Sequence, residues 1–228
     1  MKIDRLLFWF GDADQRFDEW NNKFFGLARL LTRLLKQNYD GKKIKFINIH
    51  FYTNDRYERY PVLPKGQPHL GSDLTFYGVW EIEDFKQLSD QEQLRYVWDR
   101  SYEYLVKSAV YIKNDKFLKA VELAYKQGLL LGFNPDYRMV EEDLIILDEN
   151  YKAAVWANFK EDEMYSKFTL EKANQIVFEK QMDRWKTGNE FFFVAYKSIC
   201  IEKNSIIIKG HGDVDTLPLK IPISELFK

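Results

Sequence analysis

Proline and glycine are scarce in this chain, with 6 and 11 among 228 residues. Long disordered linkers are therefore not expected. There is one cysteine, Cys200. A lone cysteine rules out an intrachain disulfide and a cysteine-built zinc ribbon, and it suits a reducing compartment. The three histidines, His50, His69 and His211, stand far apart. They make no H-x-x-H or H-E-x-x-H spacing of the kind a helical metal site uses. Neither sign of charge dominates. Lys and Arg number 34 and Asp and Glu 35, for a net charge of -1. No global field draws in nucleic acid or an anionic membrane. No apolar run approaches the roughly 20 residues that cross a bilayer. The opening "MKIDRLLFWFGDADQ" has a short apolar run flanked by aspartates, unlike a signal peptide. A cytoplasmic protein is the expectation. The phosphate-cradling G-x-G-x-x-G and G-x-x-x-x-G-K-[ST] patterns are missing, as is the G-x-S-x-G nucleophile elbow.

Aromatic residues, by contrast, are plentiful at 17%. They mark the elements. "RLLFWF" reads as a first strand, with Asp12 or Asp14 able to cap the helix behind it. Phe17, Trp20, Phe24, Leu27, Leu31 and Leu34 alternate steps of three and four, which places them on one helical face. Gly41 is a plausible stop. Lys43 to Asn54 and Ser72 to Ile82 read as strands, and the Pro-rich stretch between them as a loop. Ser89 and Glu92 have capping-box spacing at the start of a long helix. Asn114 restarts a further helix that ends at Gly128 or Gly132. Beyond "GFNP" the pattern turns to strands. A hairpin is expected about "DEN", and another about Lys203 and Asn204. The stretch between them fits either a strand over Thr169–Phe178 or a helix over Leu170–Trp185. Pro218 and Pro222 mark an edge segment at the end. The expected fold class is α+β, a mostly antiparallel sheet with three main helices packed on one side. One continuous domain over residues 1–228 is favoured, with a possible subdomain change near 132–135.

Chemistry is thinly signalled. "KGHGDVDTLP" sets His211, Asp213 and Asp215 at alternate positions, which on a strand would share a face. Metal or hydrolase chemistry there would need further groups from elsewhere. Gly210, Gly212 and the aspartates are equally the residues of a turn, and a solvated turn is the preferred reading. No catalytic residue, metal ligand or cofactor is assigned. Cys200 sits in an apolar strand-like run and reads as a small buried hydrophobe.

Charge is segregated locally. From Lys23 to Lys45 the bases Lys23, Arg29, Arg33, Lys36, Lys42, Lys43 and Lys45 face Asp40 alone. From Asp136 to Glu163 acids outnumber bases. The Arg29, Arg33 and Lys36 stripe would suit phosphates, though a solvated helix face explains it as well and nucleic acid is not favoured as a partner. The acidic stretch carries aromatic residues beside its charges, a combination found at protein interfaces. Glu141, Glu142, Asp143, Asp148, Glu149 and Trp156 are the candidate partner-binding residues.

"DLTFYGVWEIEDFKQLSDQEQLRYVWDRSYEYLVKSA", residues 73–109, resembles a strand-then-helix pattern of immunity proteins from bacterial polymorphic-toxin systems. Phe85, Leu88, Glu92 and Tyr96 carry the likeness, while Ser101 and Tyr102 stand where that pattern has a histidine. The resemblance implies a non-catalytic protein that binds a cognate protein toxin and occludes its working surface. A hydrolase using His211 with Asp213 or Asp215 is the alternative.

Overall fold

The computed structural model describes residues 3–41 and 43–227; Lys42, part of the basic run, lies outside them. The chain divides into two compact units, Met1–Pro135 and Asp136–Lys228. The division lies at the end of the 132–135 stretch, at the subdomain change that the sequence pattern marks. The class is α+β. Seven of the nine strand pairings are antiparallel, and three helices of 14 residues or more pack on one side of the first sheet.

The first unit holds a five-stranded sheet in the order β2-β1-β3-β5-β4. These strands are β1 (Arg5–Asp12), β2 (Gln15–Arg16), β3 (Phe46–Tyr52), β4 (Pro68–Leu70) and β5 (Leu74–Val79). Its centre departs from expectation, because β1, β3 and β5 run parallel. A parallel pair needs a crossover. Between β1 and β3 the crossover is α1 (Asp18–Lys23) and α2 (Phe25–Asn38).

Period-two alternation sends Leu6, Phe8 and Phe10 of β1, Ile47, Ile49 and Phe51 of β3, and Leu74 and Phe76 of β5 to one buried face. The predicted helical stripe meets it: Phe24, Leu27, Leu31 and Leu34 are all buried. Each such side chain, fully removed from water, stabilises the fold by roughly 1.5–3 kcal/mol. Beyond the short helix α4 (Ile82–Lys86), two longer helices, α5 (Asp90–Tyr111) and α6 (Asp115–Leu130), complete this layer and share its core. The capping box at α5 forms as expected, with the Ser89 N–H donating to Glu92 at 2.8 Å. Asn114 caps α6 by accepting from the Phe117 N–H.

Three local expectations are corrected. Neither Asp12 nor Asp14 caps a helix: Asp12 accepts from the Thr53 hydroxyl, and Asp14 from Arg59 and Tyr60. The segment between β3 and β5 is not a plain loop, since Thr53 caps a short helix α3 (Asn54–Arg59) and Pro68–Leu70 adds an edge strand. The first helix breaks at Phe24 and its second part ends at Asn38, before Gly41.

The second unit contains a four-stranded antiparallel meander in the order β6-β7-β8-β9. Its strands are β6 (Tyr137–Ile146), β7 (Glu149–Phe159), β8 (Glu163–Lys172) and β9 (Gln175–Lys186). A separate three-stranded antiparallel sheet holds β10 (Tyr196–Glu202), β11 (Ser205–Gly210) and the edge strand β12 (Leu219–Pro222). The ambiguous Thr169–Trp185 stretch is two strands joined by a tight turn. Ala173 and Asn174 both have positive φ there, of 49° and 64°. The β6–β7 turn is built alike, on Leu147 and Asp148. Paired positive φ values give the backbone twist that two-residue hairpins require.

Candidate functional site

The acidic stretch of the second unit does not present one acidic face. Glu141, Asp143 and Trp156 share the face of the meander that also carries Arg138, Lys152, Lys167 and Glu171. Arg138 lies over the Trp156 ring at 4.8 Å, donates to Glu141 at 3.0 Å, and holds Glu171 through both carboxylate oxygens at 2.8 Å. The Trp156 indole N–H donates to Thr169 at 2.8 Å. Lys152 stands 3.9 Å from Asp143. Glu142 is exposed and pairs in register with Ala153, so it projects to the opposite side of its strand from Glu141 and Asp143. Glu149 bonds Lys172 at 2.5 Å and Tyr151 at 3.1 Å. These bonds hold the Glu149 carboxyl below its usual range, and the Arg138 bond does the same for Glu141. Asp148 sits in the β6–β7 turn. Among the described residues, only Glu142 and Asp148 of the five candidate acids make no ion pair. A void of about 380 Å³ beside this surface is lined by Asp143, Lys152 and Glu171, whose charges are already matched.

The other sequence candidates are placed as follows. His211 and Asp213 sit in the turn after β11, 3.1 Å apart; His211 is half-buried, while Asp213 and Asp215 are exposed. Among the described residues no group of three or more His, Cys, Asp or Glu is placed to hold a metal ion. Arg29 and Arg33 are half-buried and only Lys36 of that stripe is exposed, so the stripe is not an open ribbon of charge. Cys200 is half-buried rather than buried, with its Sγ 3.7 Å from Glu202. No helix among the described residues is long and apolar enough to cross a membrane.

Another surface was not legible beforehand. Parallel sheets are normally covered on both faces. Here the three main helices cover one. The opposite face of the first sheet carries Trp9, Asn48, His50, Thr75 and Tyr77, all half-buried. Trp9, His50 and Tyr77 are register partners across β1, β3 and β5. Their rings lie nearly parallel, with centroid separations of 6.3 and 4.9 Å and interplanar angles of 19° and 18°. Strands in a sheet are spaced about 4.8 Å apart. Rings at that spacing and nearly parallel must stand upright, each face against the next. Their edges point away from the sheet.

The Trp9 and His50 rings border a cleft of about 280 Å³, lined also by Phe10, Arg16, Asn48 and Tyr52. The Trp9 indole N–H donates to Asn48 at 3.0 Å. Arg56 lies over Tyr52 at 4.4 Å and donates to the Ala13 carbonyl at 2.8 Å. The nearby carboxylates are otherwise engaged: Asp12 by Thr53, and Asp14 by Arg59 and Tyr60. Among the described residues neither Arg16 nor Arg56 forms an ion pair. His50 Nδ1 is buried with no hydrogen-bond partner. Burial, reinforced by Arg56 and Arg16, pushes the His50 imidazole down to about 4. Burial raises the Tyr52 phenol, against the pull of the same two arginines. The cleft therefore holds a neutral imidazole in a positive field.

No family model, curated protein or solved structure matches this chain.

Proposed function

We propose that the chain is a non-catalytic binding protein that neutralises a cognate bacterial protein toxin by covering its working surface. One observation carries this reading: a parallel sheet packed by helices on one side leaves a band of upright aromatic rings with two unpaired arginines on the other. Tryptophan, tyrosine and arginine are the side chains that most often anchor interfaces. Helix packing on the other side and the tight ring stack hold this face in one shape, which lowers the entropic cost of binding. Occlusion asks only for such a preformed surface. The acids Glu142 and Asp148, which make no ion pair, form a second contact in the same reading.

Affinity capture from the native cell, with the bound protein identified by mass, tests the proposal. One stoichiometric partner is expected. Trp9→Ala should reduce its recovery by about tenfold or more, the loss typical of an interface anchor. Glu142→Lys with Asp148→Lys should reduce recovery less. Capture that is unchanged by all three substitutions, or no partner at all, rejects the reading.

A further inference from the structure

Resting on that binding reading, we infer that the cleft on the face of the first sheet opposite the helices takes the carboxylates of an acidic segment of the partner protein, through Arg16, the edges of Trp9 and His50, and Arg56 beside them over Tyr52. Three features of the cleft converge on this chemistry. An aromatic ring is electron-rich on its faces and electron-poor at its edge. His50 has both ring faces against its neighbours, Trp9 and Tyr77 have one each, and all three offer their positive edges. Flat stacking of nucleobases, which needs free ring faces, is not what this surface provides. The two guanidinium groups add full positive charge, and the acids around them, Asp12 and Asp14, are already bonded elsewhere. One carboxylate, Asp73, adjoins the lining residue Asn48. It contacts the Asn48 amide at 3.5 Å, two residues along β3 from His50.

Arg56 and Arg16 play different parts. Arg56 is fixed by Tyr52, Tyr60 and the Ala13 carbonyl, so its guanidinium is held before any ligand arrives. Arg16 is exposed on the short strand β2 and can swing onto a carboxylate. Arg56 is thus a preorganised anchor and Arg16 a clamp.

The probe is a fluorescently labelled oligo-glutamate peptide titrated with the full chain, alongside an oligo-lysine peptide and oligothymidylate. With a net charge of -1, the chain gives an acidic peptide no general attraction, so binding has to be local. Oligo-glutamate alone is expected to bind, and added salt should weaken it. Arg16→Gln should weaken it about tenfold, and Arg16→Gln with Arg56→Gln further still. Arg16 is exposed and makes no structural bond beyond its strand, so a folding defect does not confound that variant. Bound carboxylates should also raise the pH at which the His50 ring titrates, read by NMR. Oligo-glutamate binding that is absent, or insensitive to Arg16→Gln, overturns the inference; so does Arg16-dependent binding of oligothymidylate. In partner capture, loss with Trp9→Ala but not with Arg16→Gln would keep the binding face and reject its acidic ligand. Retention in both would reject the face itself.

Discussion

At the scale of single residues, His50 is the most exacting side chain in the first unit. Its ring is held between Trp9 and Tyr77, its Nδ1 is buried without a partner, and two arginines face it from β2 and α3. Burial first, and then the two arginines, disfavour a proton on the ring. The ordinary value is 6.5 and the folded value about 4. Between those two pH values the unfolded chain binds a proton that the folded chain refuses. The contribution to stability is therefore complete above pH 6.5 and falls as the pH drops toward 4, by up to ~3 kcal/mol. His50→Gln removes this titration. Denaturant unfolding of both proteins across that range should show the advantage of the native chain shrinking as the solution is acidified. Parallel pH profiles would show that the imidazole is not held neutral. The same residues show why the site was hard to read from sequence. Trp9, Arg16, His50 and Tyr77 come from three separate strands and one short hairpin, and each passes as an ordinary strand residue. The one signal was alternation. "LFWF", "NIHFY" and "TFYGV" interleave fully buried residues with polar or aromatic ones, as a sheet covered on one face only must.

At the scale of elements, close approach governs how α5 meets α6. Gly128 on α6 lies against the Trp98 indole of α5, and a Cβ placed there would meet the ring at 2.0 Å. The glycine is chosen for space, since Trp98 is fully buried and cannot step aside. Gly128→Ala should destabilise the chain by about 1–3 kcal/mol, the usual cost of overpacking, although alanine is the better helix former. A thermal melt unchanged or raised by this substitution would show that the helices separate freely. Sequence spacing made this layer legible, because the leucine stripe of α2 and the Ser89–Glu92 capping box depend only on residues within a few turns. Parallel pairing of β1, β3 and β5 depends on partners dozens of residues apart, and the alternating pattern is the same for either strand direction. The β8–β9 hairpin was hidden for a different reason. Its turn uses Ala173 and Asn174 in the left-handed region, without the glycine that usually announces such a turn. For the acidic candidates, sequence shows the acids of β6 and β7 and the bases Arg138 and Lys152 among them, but not that the ladder sets those bases, and Lys172 of β8, beside Glu141, Asp143 and Glu149.

At the scale of the whole molecule, the chain divides into two compact units. The core of the first is drawn from residues 3 to 133. In the second, Val155 and Phe168 of the meander and Ile206, Ile208 and Ile221 of the smaller sheet are completely buried. A hydroxyl network strengthens it: Tyr196 donates to Asp183 at 2.5 Å and lies 2.6 Å from the Ser166 hydroxyl. Compact units divided at a single point of the chain are what separately folding domains have. Residues 136–228 expressed alone should therefore give a dispersed amide spectrum and one cooperative melt. A compact but unmelting species that binds hydrophobic dye would mean that the second unit needs the first to fold. The same fragment lacks Trp9, Arg16, His50, Arg56 and Tyr77. If it folds, it should fail to bind oligo-glutamate, whereas binding by this fragment would move the acidic-ligand site to the second unit.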